Sequence, residues 1–300
     1  MTHTMKDKVC LVTGATGGIG GVAAMSLAAM GATVVGVGRD AQKCDATAAA
    51  IRTAVAGAQV DFVVADLSSQ AQVRRLAATF LARYGRLDVL LNNAGAYYFS
   101  RGVTEDGIER TLALNHLGYF LLTRLLADRL LASAPARIVN VASSAHRSAQ
   151  LDMDDLELAR GYRGWTAYAN SKLANILFTR ELARRLVGTA VTANAVHPGW
   201  VATRFAENNM RGLLAVLRPF YRLYQRLTAI SPAAGADTLV YLASAAAVAG
   251  VSGQYFRERR VLEPVGLAND DSAARRLWEL SEVMVGGHPD GWPEPLRTAR

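Results

Sequence analysis

Short apolar runs alternate along this chain with longer stretches of mixed character, and most of the runs stop at small or polar residues. The first, residues 8–13 (KVCLVT), ends at a glycine loop. A run this short and this apolar predicts a strand buried on both faces. Residues 33–38, 60–64, 87–91, 136–141 and 191–197 read the same way, with 253–256 as an edge strand. The stretches between them read as helices: from the glycine loop to Met30, then 41–56, 70–84, a long region over 104–133, a helix through Tyr168 and Lys172 to about Leu186, 231–246, and a terminal helix over 270–284. Residues 152–163 form a polar, acidic interlude, and the proline-bearing tail from Gly286 reads as irregular. Strands alternating with helices predict an α/β fold, a doubly wound parallel sheet of Rossmann type. No linker or shift in composition divides the chain, so 1–300 reads as a single domain with its core over about 8–285.

Composition adds limits. A hydrophobic fraction of 51% supplies a large core, and a charged fraction of 19% excludes bulk disorder. The two cysteines, Cys10 and Cys44, give neither a disulfide framework nor metal spacing, and a reducing cytosol is the simplest compartment. The net charge of +8 attracts anions, yet there is no dense basic run and no nucleic-acid motif. Residues 1–8 lack a secretory apolar stretch, and no run reaches the roughly 20 apolar residues that span a bilayer.

The loop Thr13-Gly14-Ala15-Thr16-Gly17-Gly18-Ile19-Gly20 sits between the first strand and a helix. In that setting glycines let backbone N–H groups approach a pyrophosphate at a positive helix end. Gly14, Thr16, Gly17, Gly18, Ile19 and Gly20 are therefore candidate dinucleotide contacts; a tight structural turn is the competing reading. After the second strand, where an acidic residue would favour NAD, stand Gly38 and Arg39. The planar donor fork of Arg39 suits a 2′-phosphate and favours NADP(H). Alternatively, Arg39 is a plain surface residue and Asp40, capping the next helix, selects. Asp66 and Leu67 follow the third strand, where an adenine edge would lie, although Asp66 or Ser68 also suits a helix cap. Asn93, in Asn92-Asn93-Ala94-Gly95, allows close backbone approach to a cofactor or makes a turn. Val201 and Thr203 follow the sixth strand, and Ser143 the fifth. Asn115 is an awkward residue inside a predicted helix. It either holds a bend with a water or faces solvent, with His116 as a bystander.

Tyr168 and Lys172 are four residues apart, hence on one helix face. A phenol titrates at about 10 when alone. A neighbouring ammonium favours the phenolate, which makes the pair a plausible acid/base device.

Taken in order, the loop 13–20, Asn92–Gly95 region, Asn115, Ser143, Tyr168-x-x-x-Lys172 and Pro198-Gly199 resemble the short-chain dehydrogenase/reductase family over residues 8–285. Residues 137–146 (RIVNVASSAH), 168–186 and the long Ser143–Tyr168 gap resemble its branch of retinol dehydrogenases and WW-domain oxidoreductases. The resemblance implies that Tyr168 exchanges a proton with the substrate oxygen and that Lys172 binds the nicotinamide ribose and lowers the Tyr168 pKa. It also implies that Ser143, with Ser144 as fallback, holds that oxygen, and that Asn115 positions a water next to Lys172. Many retinol dehydrogenases carry an N-terminal membrane anchor that this sequence lacks, so the expectation is a cytoplasmic protein. Ala142 stands where relatives often have another serine.

Residues 204–230 carry Arg211, Arg218, Arg222 and Arg226 with an apolar face. They read as a substrate lid, as a weak membrane-surface patch over 211–227, or as an ordinary core helix. Helices in 104–133 and 168–186 are candidate homo-oligomer interfaces. The expected activity is NADP(H)-dependent interconversion of a small apolar carbonyl and alcohol by hydride transfer. The alternatives are an epimerase or dehydratase that retains its nicotinamide, and a non-catalytic NADP(H)-sensing module.

Overall fold

The computed structural model describes residues 5–201, 229–287 and 291–297. The expected strands, joined by one more at the end, form one sheet: β1 (Val9–Thr13), β2 (Thr33–Gly38), β3 (Val60–Val64), β4 (Val89–Asn92), β5 (Ala136–Val141), β6 (Val191–Val196), β7 (Tyr255–Arg257) and the added β8 (Arg260–Leu262). Their order is β3-β2-β1-β4-β5-β6-β7-β8. Every neighbouring pair is parallel except β7 with β8. β1 and β6 are buried throughout, which is why they read as continuous apolar runs rather than alternating ones. The strand order reverses between β1 and β4, so a crevice opens at their carboxyl ends.

Helices cover both faces. The ladder is closed on one side by α1 (Gly18–Ala29) and α2 (Ala41–Ala54). On the other lies α3 (Gln70–Arg83), then the short α4 (Arg110–Leu112), which runs through a π turn (Ala113–Leu117) into α5 (Gly118–Leu125) and α6 (Ala127–Ala132). The long α7 (Gly164–Arg185) packs on that same side. α8 (Pro232–Ser244) returns to the α1 side, and α9 (Asp271–Met284) packs outside α7.

Three expectations need correction. Residues 104–109 are not helical: Gly107 N–H donates to the Thr104 carbonyl in a turn, and Val103 bridges to Glu109. The helix waits for Glu109, whose carboxylate accepts from the Thr111 and Leu112 N–H groups at 2.8 Å each. Residues 253–256 do not end the sheet. Glu258 and Arg259 take positive φ of 51° and 60°, turning the chain back so that β8 pairs antiparallel with β7.

The tail is not wholly irregular: its described part packs on the core and carries one short helix. Trp292, 1% exposed, lies tilted against Trp278 at 4.6 Å between ring centres and edge-on to Phe120 at 5.6 Å. Its indole N–H donates to Glu282, which also sits 3.7 Å from the Arg124 guanidinium. The last helix, α10 (Glu294–Arg297), buries Leu296. Because α9 and this tail pack on α5 and α7, an oligomer built on those helices has only their remaining surface to use. Among the described residues no helix is long and apolar enough to cross a membrane. Thr203, the patch over 211–227 and the lid up to residue 228 lie outside the described residues.

Trp292→Ala is expected to cost about 3–5 kcal/mol, the range for emptying a buried aromatic site. Chemical denaturation would measure it, and a loss below about 1 kcal/mol would mean that the tail is not part of the core.

Candidate active site

The site is built where β1, β4 and β5 end. The Thr13 hydroxyl accepts from the backbone N–H groups of Asn93 (2.8 Å) and Ala94 (3.0 Å). The Asn93 amide returns a bond to the Thr13 carbonyl at 2.9 Å. These bonds draw the β4 loop onto the glycine loop so closely that a Cβ on Gly20 would lie 2.4 Å from Asn93 Nδ2 and from the Gly14 carbonyl oxygen. Gly14 takes φ of 68°, and its Cβ would meet Ala94 Cα at 2.9 Å. Asn93 thus braces the loop. Gly17 and Gly18 remain exposed, and a Cβ at Gly17 would meet only open space.

α1 begins here with no side-chain cap and no acidic residue in its first turn. Its first N–H groups and the positive helix end are therefore available to an anion. This cradle fits the pyrophosphate of a dinucleotide. Thr16 lies against Gly38, where a Cβ would stand 2.3 Å from Thr16 Cγ2. Ile19 meets Val201 around Gly235, so Val201 lies beside the cradle. Arg39 is exposed at the end of β2. The Asp40 carboxylate is engaged by Lys43, through its N–H at 3.1 Å and its ammonium at 3.4 Å.

Neither Asp66 nor Ser68 caps α3. Asp66 accepts from the N–H (2.9 Å) and hydroxyl (2.7 Å) of Ser68, and the cap of α3 is Ser69. Leu67 is a core residue, and its carbonyl abuts Gly118.

Ser143, Tyr168, Lys172 and Asn115 come together at the carboxyl end of β5. The Ser143 oxygen accepts from Ala145 N–H at 3.2 Å, and its hydroxyl lies near enough to the Tyr168 phenol to favour the phenolate. Ser144 is exposed in the 3-10 turn that follows. His146 Nδ1 lies 2.7 Å from the Ser143 carbonyl and holds that turn. Lys172 is 3% exposed; its ammonium donates to the Val141 carbonyl at 3.0 Å and lies 5.8 Å from the ring centres of Tyr168 and Tyr119. Tyr168 also meets Tyr97 and Trp165, each at 6.0 Å between ring centres. Trp165 and, next to Tyr97, Phe99 are about half exposed. Aromatic surface therefore borders the approach to the phenol.

Burial pushes the Tyr168 phenol up to about 12, and the Ser143 hydrogen bond opposes that rise. Burial pulls the Lys172 amine down to about 7. Ser143 is the group that favours the phenolate, and burial brings the Lys172 amine down toward neutrality.

Asn115 sits in the π turn and is fully buried rather than solvent-facing. Its amide exchanges bonds with the Ala96 backbone at 2.9 Å each way and donates to Ser171 Oγ at 3.0 Å. His116 bridges Asn175 and Ser281, so it is a structural link rather than a bystander. Sequence reading passed over Thr13 and Asn175. The signal for Asn175 was its spacing of three from Lys172 on one helix face.

A short chain dehydrogenase family model matches residues 8–213. Retinol dehydrogenase 14 of Mus musculus is 42% identical over 292 residues, covering 94% of this chain and 87% of that protein. The Bos taurus dehydrogenase/reductase SDR family member 13 is 42% identical over 290 residues, covering 95% and 75%. Among solved structures, an uncharacterised Mycobacterium paratuberculosis protein aligns with a TM-score of 0.75 at 34% identity, covering 97% of this chain and 96% of that one. The RhlG/NADP active-site complex of Pseudomonas aeruginosa aligns at 0.66 and 29%, covering 85% and 96%.

Lys172 gives the fold a pH dependence. The folded amine titrates near 7 and the unfolded one near 10.5, so between these values the unfolded chain binds more protons and stability rises with pH. Lys172→Met is expected to lack that rise. Denaturation of both proteins across this range would show it, whereas a constant stability difference would mean that the amine titrates normally.

Proposed function

The chain belongs to the short-chain dehydrogenase family, close to its retinol dehydrogenases, and from that premise we propose an NADP(H)-dependent oxidoreductase that interconverts a carbonyl and an alcohol on a small or medium apolar substrate. The observation that carries the reading is the placing together of Ser143, Tyr168 and the buried Lys172 amine at the strand ends that face the glycine cradle.

The dinucleotide, when bound, supplies or accepts the hydride at the substrate carbon. Gly14, Thr16, Gly17, Gly18, Ile19, Gly20 and Val201 would hold its phosphates and flank. Asn93 would act by bracing that loop. With the Asp40 carboxylate paired to Lys43, Arg39 is the group left to meet a ribose 2′-phosphate, which supports NADP(H).

In the reducing direction Tyr168 Oη gives its proton to the substrate oxygen. Ser143 Oγ–H donates to the charge that develops there, an interaction strongest in the transition state. The phenolate left behind is stabilised by the same Ser143 hydroxyl until Lys172, poised near neutrality, returns a proton. The alcohol-oxidising direction runs these transfers in reverse. Tyr97, Phe99 and Trp165 offer an aromatic, water-excluding approach, which supports an apolar substrate.

Tyr168→Phe is expected to lower NADPH-dependent reduction of apolar aldehydes and ketones by about three to four orders of magnitude. NADPH binding should change little, because the phenol is lost and the ring kept. Absorbance at 340 nm and a binding titration would separate the two effects, and retained turnover would remove Tyr168 from the chemistry. Arg39→Ala is expected to weaken NADPH about tenfold or more and NADH hardly at all. Equal weakening of both would sink the 2′-phosphate assignment.

A further inference from the structure

Asn175 is fully buried on α7, three residues beyond Lys172 and on the same face. Its Nδ2 donates to the Asn115 carbonyl at 2.9 Å and to the Val141 carbonyl at 3.1 Å. Its Oδ1 lies 3.3 Å from His116 Nδ1. These partners fix the amide's orientation. Carbonyls only accept, so the nitrogen must face them and the oxygen is left facing the His116 ring. Burial drives that ring down to about 4 and keeps it neutral, with Nε2 held 2.9 Å from Ser281 Oγ.

The Val141 carbonyl is also the acceptor for the Lys172 ammonium, so one oxygen serves both donors. The Asn115 carbonyl next to it is engaged by the same amide, while the Asn115 side chain is engaged by Ala96 and Ser171. The titratable groups around this pair are Tyr168 on the same helix, Tyr119 from α5 and His116 from the π turn. All three are uncharged near neutrality, because burial raises both phenols and lowers the imidazole. Dipoles, not counter-charges, therefore govern the amine, and the Asn175 amide sets its positive end on the carbonyl that Lys172 uses.

We infer that Asn175 is a positioning residue that sets where the Lys172 amine sits and how readily it releases its proton. By drawing on the Val141 oxygen, its N–H weakens the hold of that oxygen on the ammonium. By bridging β5 and the π turn, it also fixes the walls of the lysine chamber. The inference rests on the proposed role of Tyr168 and Lys172 as the proton-handling pair.

The test is direct titration of Lys172 in the full chain. The sequence contains four lysines, Lys6, Lys8, Lys43 and Lys172, so 13Cε-lysine labelling gives few signals, and Lys172→Met assigns the relevant one. Asn175→Leu is expected to move the Lys172 titration up by about half a pH unit or more, because the competing donor is gone. Asn175→Asp, which places a carboxylate there, is expected to move it up by about one unit or more. If Asn175→Leu lowers the melting temperature and leaves the Lys172 signal unmoved, the residue only packs and the inference falls. A downward shift in that variant overturns it as well. Should Asn175→Leu fail to fold, an unmoved Lys172 signal in Asn175→Asp overturns it. Tyr168→Phe separates the two levels: retained turnover defeats the proposed mechanism whatever Lys172 does, whereas lost turnover with an unmoved Lys172 signal defeats only the role of Asn175.

Discussion

An amine buried at the end of a parallel sheet constrains everything around it. Removing a lysine head from water is costly, and few polar partners offset the cost here. The Val141 carbonyl accepts from it, and the rings of Tyr119 and Tyr168 flank it. Backbone on all sides is shaped to leave that room. The π turn swings Asn115 onto α7, and a Cβ on Gly95 would lie only 3.2 Å from Asn115 Oδ1 and 3.5 Å from Lys172 Nζ. The interior that makes the lysine expensive also brings its pKa near neutrality, where a proton carrier is useful.

Most of the sheet was legible because its strands are buried on both faces, and the apolar runs that this demands are local features of the sequence. Tyr168 with Lys172, and the glycine loop, were legible for the same reason: helical spacing and loop chemistry act within a few residues. The parts that escaped depend on distant pairings. The Asn175 amide meets carbonyls 60 and 34 positions away, and Asn92, Asn140 and Thr179 join β4, β5 and α7 through side chains that look out of place in apolar runs. Asn115 stood out as a poor helix former. That its helix widens into a π turn and seats it against Ser171 follows only from the α7 surface it meets.

The carboxyl-terminal stretch illustrates a different limit. Prolines and glycines after Met284 suggest an irregular chain, yet Gly287 and Gly291 are small because the Arg124 guanidinium lies against them. Trp292 then enters a site built by Phe120 and Trp278, which sequence distance conceals. The same packing orders α9, whose Ser281 reaches His116 and, through it, the amide next to the lysine. The tail and the candidate site therefore share one polar and aromatic core.

The reversal at β8 has a consequence for the chain among its neighbours in a crowded solution. A parallel sheet ending in an uncovered strand would offer a row of backbone groups to any extended peptide. Here the last strand on that side is three residues long and runs the opposite way, and Arg257, Glu258, Arg259 and Arg260 crowd its turn. A strand added there would have to desolvate those charges for very few hydrogen bonds. The hairpin thus leaves a poor template for a further strand on that side, built from the residues that close the sheet.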